Sequence, residues 1–119
     1  INSWDALKNK EKGRTTLADE LDTVPATLPA LMRAQKLQKR AARCGAAEAD
    51  PEQARQALQD AVKSWDETSS AQAAGDMLFA AANAMRLAGV DAEEALTFAS
   101  KRFCAERLGQ EKPCGNQVE

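Results

Sequence analysis

The chain has 119 residues, 44% of them hydrophobic and 29% charged, with a net charge of −2, which suits one domain with a modest core and does not favour general nucleic-acid binding. No apolar run reaches the roughly 18 residues of a membrane span. No signal peptide is visible at its start; a cytoplasmic location is expected from its cysteines, read as reduced thiols.

Aromatic residues make up 4% of the chain, valine and isoleucine are scarce, and no run alternates apolar with polar residues. Alanine, leucine, glutamine, lysine, arginine and glutamate dominate, all good helix formers. An all-α single domain over residues 1–119 is expected. Residues 3–12 read as a short amphipathic helix ended by Gly13. Residues 14–26 read as a connector, with Asp22, Thr23 and Pro25 as turn residues.

The helical core is expected over 27–109, in four helices. The first runs from about Thr27 to Cys44, stopped by Gly45. Ala30, Ala34, Leu37 and Ala41 share one face, and Arg33, Lys36, Arg40 and Arg43 share another. That basic stripe is chiefly a solvated face, although it could attract phosphate. The second helix opens at Asp50-Pro51, an N-cap followed by a first-turn proline, and sends Leu58, Val62 and Trp65 inward. The third opens at Ser69-Ser70-Ala71-Gln72, a capping-box pattern, and breaks at Gly89. The fourth opens at Asp91 and ends near Gly109, with Ala92, Ala95, Leu96, Ala99 and Phe103 as its apolar stripe. The remainder, 110–119, reads as a polar tail.

The third helix, "AQAAGDMLFAAANAMR", is apolar on almost every side. Such a helix is either surrounded or packs on a second copy, and a chain of this length offers few neighbours. A homo-oligomer is expected, most simply a two-fold dimer, with Gly75 allowing a close helix approach. Within this apolar run Asp76 stands alone, and a carboxylate on a buried helix needs a partner.

The chain contains no histidine, which excludes histidine triads, a histidine base and imidazole zinc sites. Any metal chemistry would rest on carboxylates and so favour magnesium or manganese. Cys44, Cys104 and Cys114 are odd in number and lack metal-like spacing, as reduced thiols would. There is no P-loop, no GxGxxG and no nucleophile elbow.

Three stretches, "LPALMRAQKLQKRAARCG", "GDMLFAAANAMRLAGVDAEEAL" and "KRF", together with the opening "WDALKNKEK", resemble the C-terminal domain of the MazG family of nucleoside triphosphate pyrophosphohydrolases. The resemblance spans about Trp4 to Arg107. It implies an all-α bundle, a dimer or higher oligomer, and cleavage of a nucleoside triphosphate to the monophosphate and pyrophosphate. It also implies magnesium held by acids of an EExxE motif and an ExxD motif on two helices. Acids spaced three or four apart share a helix face, and facing rows of them form a cage for hard cations that bind phosphate oxygens.

At those places the chain departs from the pattern. Asp76 keeps the last acid of the second motif, but Gln72 and Ala73 stand where acids should precede it. In the first motif Asp60 aligns with the leading acid, and Ala61 and Ser64 with the other two; a slip of one residue gives Gln59, Asp60 and Lys63 instead. Asp60 and Asp76 are therefore the candidate metal ligands for magnesium or manganese. Asp76 is open to a second reading as a leftover acid bonded to a neighbour.

The resemblance places Lys8, Asn83, Arg86 and Arg102 toward substrate. Three of the four have a plainer alternative: Asn83 satisfying Asp76, Arg86 pairing with an acid, Lys8 on the surface. Glu106 falls where relatives often carry arginine, and would repel a triphosphate. The sequence thus supports two functions. One is a weak or inactive pyrophosphohydrolase domain; the other is a non-catalytic helical dimerisation or regulatory module.

Overall fold

The computed structural model describes residues 16–110 and 113–115. The helix expected over 3–12, with Trp4 and Lys8, lies outside the described residues. The described residues form five helices and no strand: α1 (Leu17–Asp22), α2 (Ala30–Arg43), α3 (Pro51–Glu67), α4 (Ala71–Leu87) and α5 (Ala92–Leu108). The fold is all-α, as the composition requires.

Local chemistry sets the boundaries. α1 interrupts what reads in sequence as a connector. Thr16 accepts a hydrogen bond from the Asp19 amide, and the Asp19 side chain accepts one from the Thr16 amide, a reciprocal cap. α2 starts at Ala30 rather than near Thr27, because Pro29 disfavours helical backbone at Leu28. Its end is the expected one: Gly45 takes a positive φ of 71°, and the Ala46 amide reaches back to the Ala41 carbonyl at 2.8 Å. Asp50 caps α3 through the Glu52 amide and Asp91 caps α5 through the Glu94 amide. At α4 the cap is Ser70, whose hydroxyl accepts from the Ala73 amide at 3.1 Å. Ser69 instead donates to the Trp65 carbonyl at 2.9 Å, so the expected Ser69–Gln72 box is replaced by a simple cap.

α3 and α4 fold back on each other across Thr68-Ser69-Ser70 and make the most extensive helix contact. α2 lies against α4, α1 against α2, and α5 against α2 with a smaller contact to α4. Among the described residues the buried side chains are Val24, Ala54, Ala82, Ala92 and Gln38. Small side chains at the contacts let the helices approach closely.

Two glutamines on α2 tie the helices together. Gln35 donates to the carbonyls of Ala82 and Val90 at 2.9 and 3.0 Å, and its oxygen accepts from the Ala92 amide at 3.0 Å. That amide is one of the first-turn donors of α5, which have no acceptor inside their own helix. Gln38, 3% exposed, donates to the Phe79 carbonyl at 2.9 Å, while its own oxygen has no partner.

The apolar stripes differ from the sequence reading. Val62, Leu96 and Phe103 are exposed, whereas Ala54, Leu58, Ala61 and Trp65 form the covered face of α3. On α4, Leu78 is 58% exposed, and Phe79 and Met85 are exposed as well. A Cβ built on Gly75 meets nothing within 4 Å. Gly75 thus has open space beside it within the chain, and the close approach expected there is one to a second copy.

Candidate functional site

At the turn end of the α3–α4 hairpin the two helices open into a groove of about 260 Å³, lined by Ser64, Glu67, Thr68, Ser70, Gln72, Ala73 and Asp76. Ser64 and Glu67 are three apart on α3, and Gln72 or Ala73 and Asp76 are three or four apart on α4, so each set shares one helix face. The groove is wide open: its lining residues are exposed except for Ala73, which is half-buried.

The turn between the helices is held by its own backbone and hydroxyls. The Thr68 amide donates to the Ser64 carbonyl and the Ser70 amide to the Thr68 carbonyl, at 2.9 and 2.8 Å. With the Ser69 and Ser70 side-chain bonds, the hairpin end has a fixed geometry that uses neither Glu67 nor Asp76.

Four of the positions that the resemblance assigns to the two acidic motifs, Ser64, Gln72, Ala73 and Asp76, meet in this groove. Of the first-motif positions in either register, Ser64 lines the groove, while Gln59, Asp60, Ala61 and Lys63 do not. Asp60 lies outside the lining. It is exposed on α3 and accepts a hydrogen bond from Gln56 Nε2 at 3.0 Å. Asp76 faces the groove with no hydrogen-bond or ion-pair partner among the described residues. Its exposure removes the need for one, since water solvates the carboxylate.

Glu67 is the groove residue that the motif spacing passed over. It lies seven residues after Asp60 and three after Ser64, on the same stripe of α3. That periodicity was available in the sequence.

Asn83 and Arg86 engage each other rather than Asp76. Arg86 Nε donates to Asn83 Oδ1 at 3.0 Å, and Arg86 Nη2 donates to the Glu48 carbonyl at 3.1 Å. The pair clamps the segment between α2 and α3 onto α4. Arg102 lies exposed in the second half of α5, outside the groove lining. Glu106 pairs with Arg107 at 3.6 Å. Lys8 lies outside the described residues. In the basic stripe, Arg40 is 3.4 Å from Glu20, and Lys36 and Arg43 are exposed. Cys44, Cys104 and Cys114 are free and exposed.

The groove offers two carboxylates, Glu67 and Asp76, with three hydroxyls and one amide. Among the described residues no group of three or more His, Cys, Asp and Glu side chains converges to hold a metal ion. Neutral oxygens do not offset the charge of a cation pair as clustered carboxylates do. The donor set therefore does not fit the paired-cation cage that the resemblance implies. It can donate to and accept from polar groups of a ligand, and it carries negative charge.

No helix among the described residues is long and apolar enough to cross a membrane. No family model matches the chain. Curated relatives do. A nucleoside triphosphate pyrophosphohydrolase of Escherichia coli K12 is 37% identical over 115 residues, covering 84% of this chain and 41% of that protein. The nucleoside triphosphate pyrophosphohydrolase of E. coli O157:H7 matches to the same extent. The nucleoside triphosphate pyrophosphohydrolase/pyrophosphatase MazG of Thermotoga maritima is 29% identical over 104 residues, covering 84% of this chain and 40% of that protein. The chain thus spans about two-fifths of the length of the curated relatives it matches. Along those 84% of its residues, with its all-helical fold, the chain is related to the MazG family.

Proposed function

We propose that this chain is a MazG-type nucleoside triphosphate pyrophosphohydrolase domain whose own turnover is weak or absent. Support for the reaction class comes from the names of its relatives. Support for reduced turnover comes from one observation: Ser64, Gln72 and Ala73 face the groove at positions where the resemblance puts carboxylates. Losing even an outer-shell partner of a bound metal lowers affinity or activity roughly 10- to 100-fold, and losing direct ligands has a larger effect. Magnesium, or manganese in its place, would be needed for the family reaction, with Asp76 the one groove acid retained from the motifs.

A second reading, a helical pairing module without catalysis, is favoured by the apolar surface of α4 and α5. Leu78, Phe79, Leu96, Phe98 and Phe103 are all exposed. On this reading the chain is a homo-oligomer, most simply a dimer, and its place is the cytoplasm, in keeping with its free thiols.

Pyrophosphate release from a mixture of nucleoside triphosphates, with magnesium or manganese, tests the proposal. The expected rate is at least about 100-fold below that of a relative with the full set of acids. A rate equal to that relative's would contradict it.

A further inference from the structure

We propose that the α3–α4 groove is a metal centre emptied at the level of side chains alone: as it stands it retains no pair of divalent cations, yet its backbone still brings three substituted positions into one groove. The inference rests on the reading of the chain as a MazG-type domain with reduced turnover, and adds to it where the deficit lies.

Three observations carry it. First, Ser64, Gln72, Ala73 and Asp76 come from two helices and line one groove. A collapsed or rearranged hairpin would have separated them. Second, the turn that fixes their approach is held by the Thr68 and Ser70 amides and the Ser69 and Ser70 hydroxyls. None of those bonds involves a carboxylate, so the geometry does not depend on a bound ion or on the acids themselves. Third, among the described residues no basic side chain lines the groove, and neither Glu67 nor Asp76 has an ion-pair partner there, so no side-chain cation of the described residues stands where a bound cation would.

Glutamates at Ser64 and Ala73, the ExxD position three residues before Asp76, would stand in the groove with Glu67 and Asp76. Ser64 is exposed, and half-buried Ala73 lines the open groove, so neither substitution encloses a charge. Four carboxylates in one groove repel one another unless a cation lies between them. The double variant S64E/A73E is therefore expected to be less stable than wild type in chelator and to recover on adding manganese. Binding is expected to strengthen by about 100-fold or more, on the scale of two regained ligands.

The test is manganese titration of the whole chain, read by calorimetry and by the thermal midpoint, on wild type, S64E/A73E and a charge control, Q53E/S100E, whose positions are exposed on α3 and α5 outside the groove. Expected are no saturable binding by wild type or the control at micromolar manganese, and saturable binding with a raised midpoint for S64E/A73E. Saturable micromolar binding of two ions by wild type overturns the inference. So does a folded S64E/A73E, judged by circular dichroism, that responds to manganese no more than the control. If S64E/A73E is unfolded in chelator, refolding on manganese addition supports the inference, and failure to refold overturns it. Pyrophosphate release from wild type is measured separately: rapid release without manganese-pair binding would end the reduced-turnover reading and leave this inference standing.

Discussion

Polar side chains inside the bundle have unequal roles, and substitution should separate them. Gln35 satisfies the Ala92 amide at the buried start of α5 while bridging two carbonyls. Gln38 makes one bond to a carbonyl within α4 and leaves its own oxygen unpaired. Gln35→Met is expected to lower stability by about 1–3 kcal/mol, the scale of an orphaned buried donor. Gln38→Met, which removes the unpaired oxygen and nearly conserves volume, is expected to stay within about 1 kcal/mol of wild type. Urea unfolding measures both. Arg86 forks between Asn83 and the Glu48 carbonyl. Arg86→Lys should lose about 1–3 kcal/mol, because an ammonium cannot reproduce the planar fork. Unchanged stability of that variant would argue that Arg86 is held ready for a ligand instead.

Helix ends were legible in the sequence because their causes are local. Asp50-Pro51, Asp91, Gly45 and Gly89 each act within a few residues, and each boundary falls where they place it. α1 was legible too, in the spacing of Thr16 and Asp19, but the nearby turn residues masked it. Burial was less legible. Helical periodicity marks Val62, Leu96 and Phe103 as apolar positions but cannot say which other surface reaches them. Gln35 and Gln38 could not be read at all, since their partners lie 41 to 57 residues away. Of the groove, the motif positions Ser64, Gln72, Ala73 and Asp76 were legible through the family resemblance. Glu67 was passed over because it falls outside the motif spacing. Gly75 is helical, exposed and unobstructed, so Gly75→Ala should stabilise the isolated chain by about 1 kcal/mol, seen as a higher urea midpoint with unchanged slope. If a second copy packs at Gly75, the same substitution will weaken association as concentration rises.

At the scale of the molecule, the described residues leave several large apolar side chains in water. Leu78 and Met85 are one face of α4, seven residues apart, and Leu96 and Phe103 are one face of α5. Leu108 at the end of α5 is 81% exposed. Covering a large apolar side chain stabilises by about 1.5–3 kcal/mol, so a few such residues per chain suffice to drive pairing. Light scattering at micromolar concentration should give twice the 12.8 kDa of one chain. Leu78→Gln with Phe103→Ser should return it to the monomer mass, with circular dichroism unchanged. A wild-type monomer under those conditions would remove the argument for a pairing surface.

On the reading proposed above, the hairpin has kept the form of a cation cage without the oxygens to fill it. Anomalous diffraction from crystals grown with millimolar manganese tests this most directly. No fully occupied ion is expected between Glu67 and Asp76. Two well-occupied ions held there by side chains of α3 and α4 would contradict it.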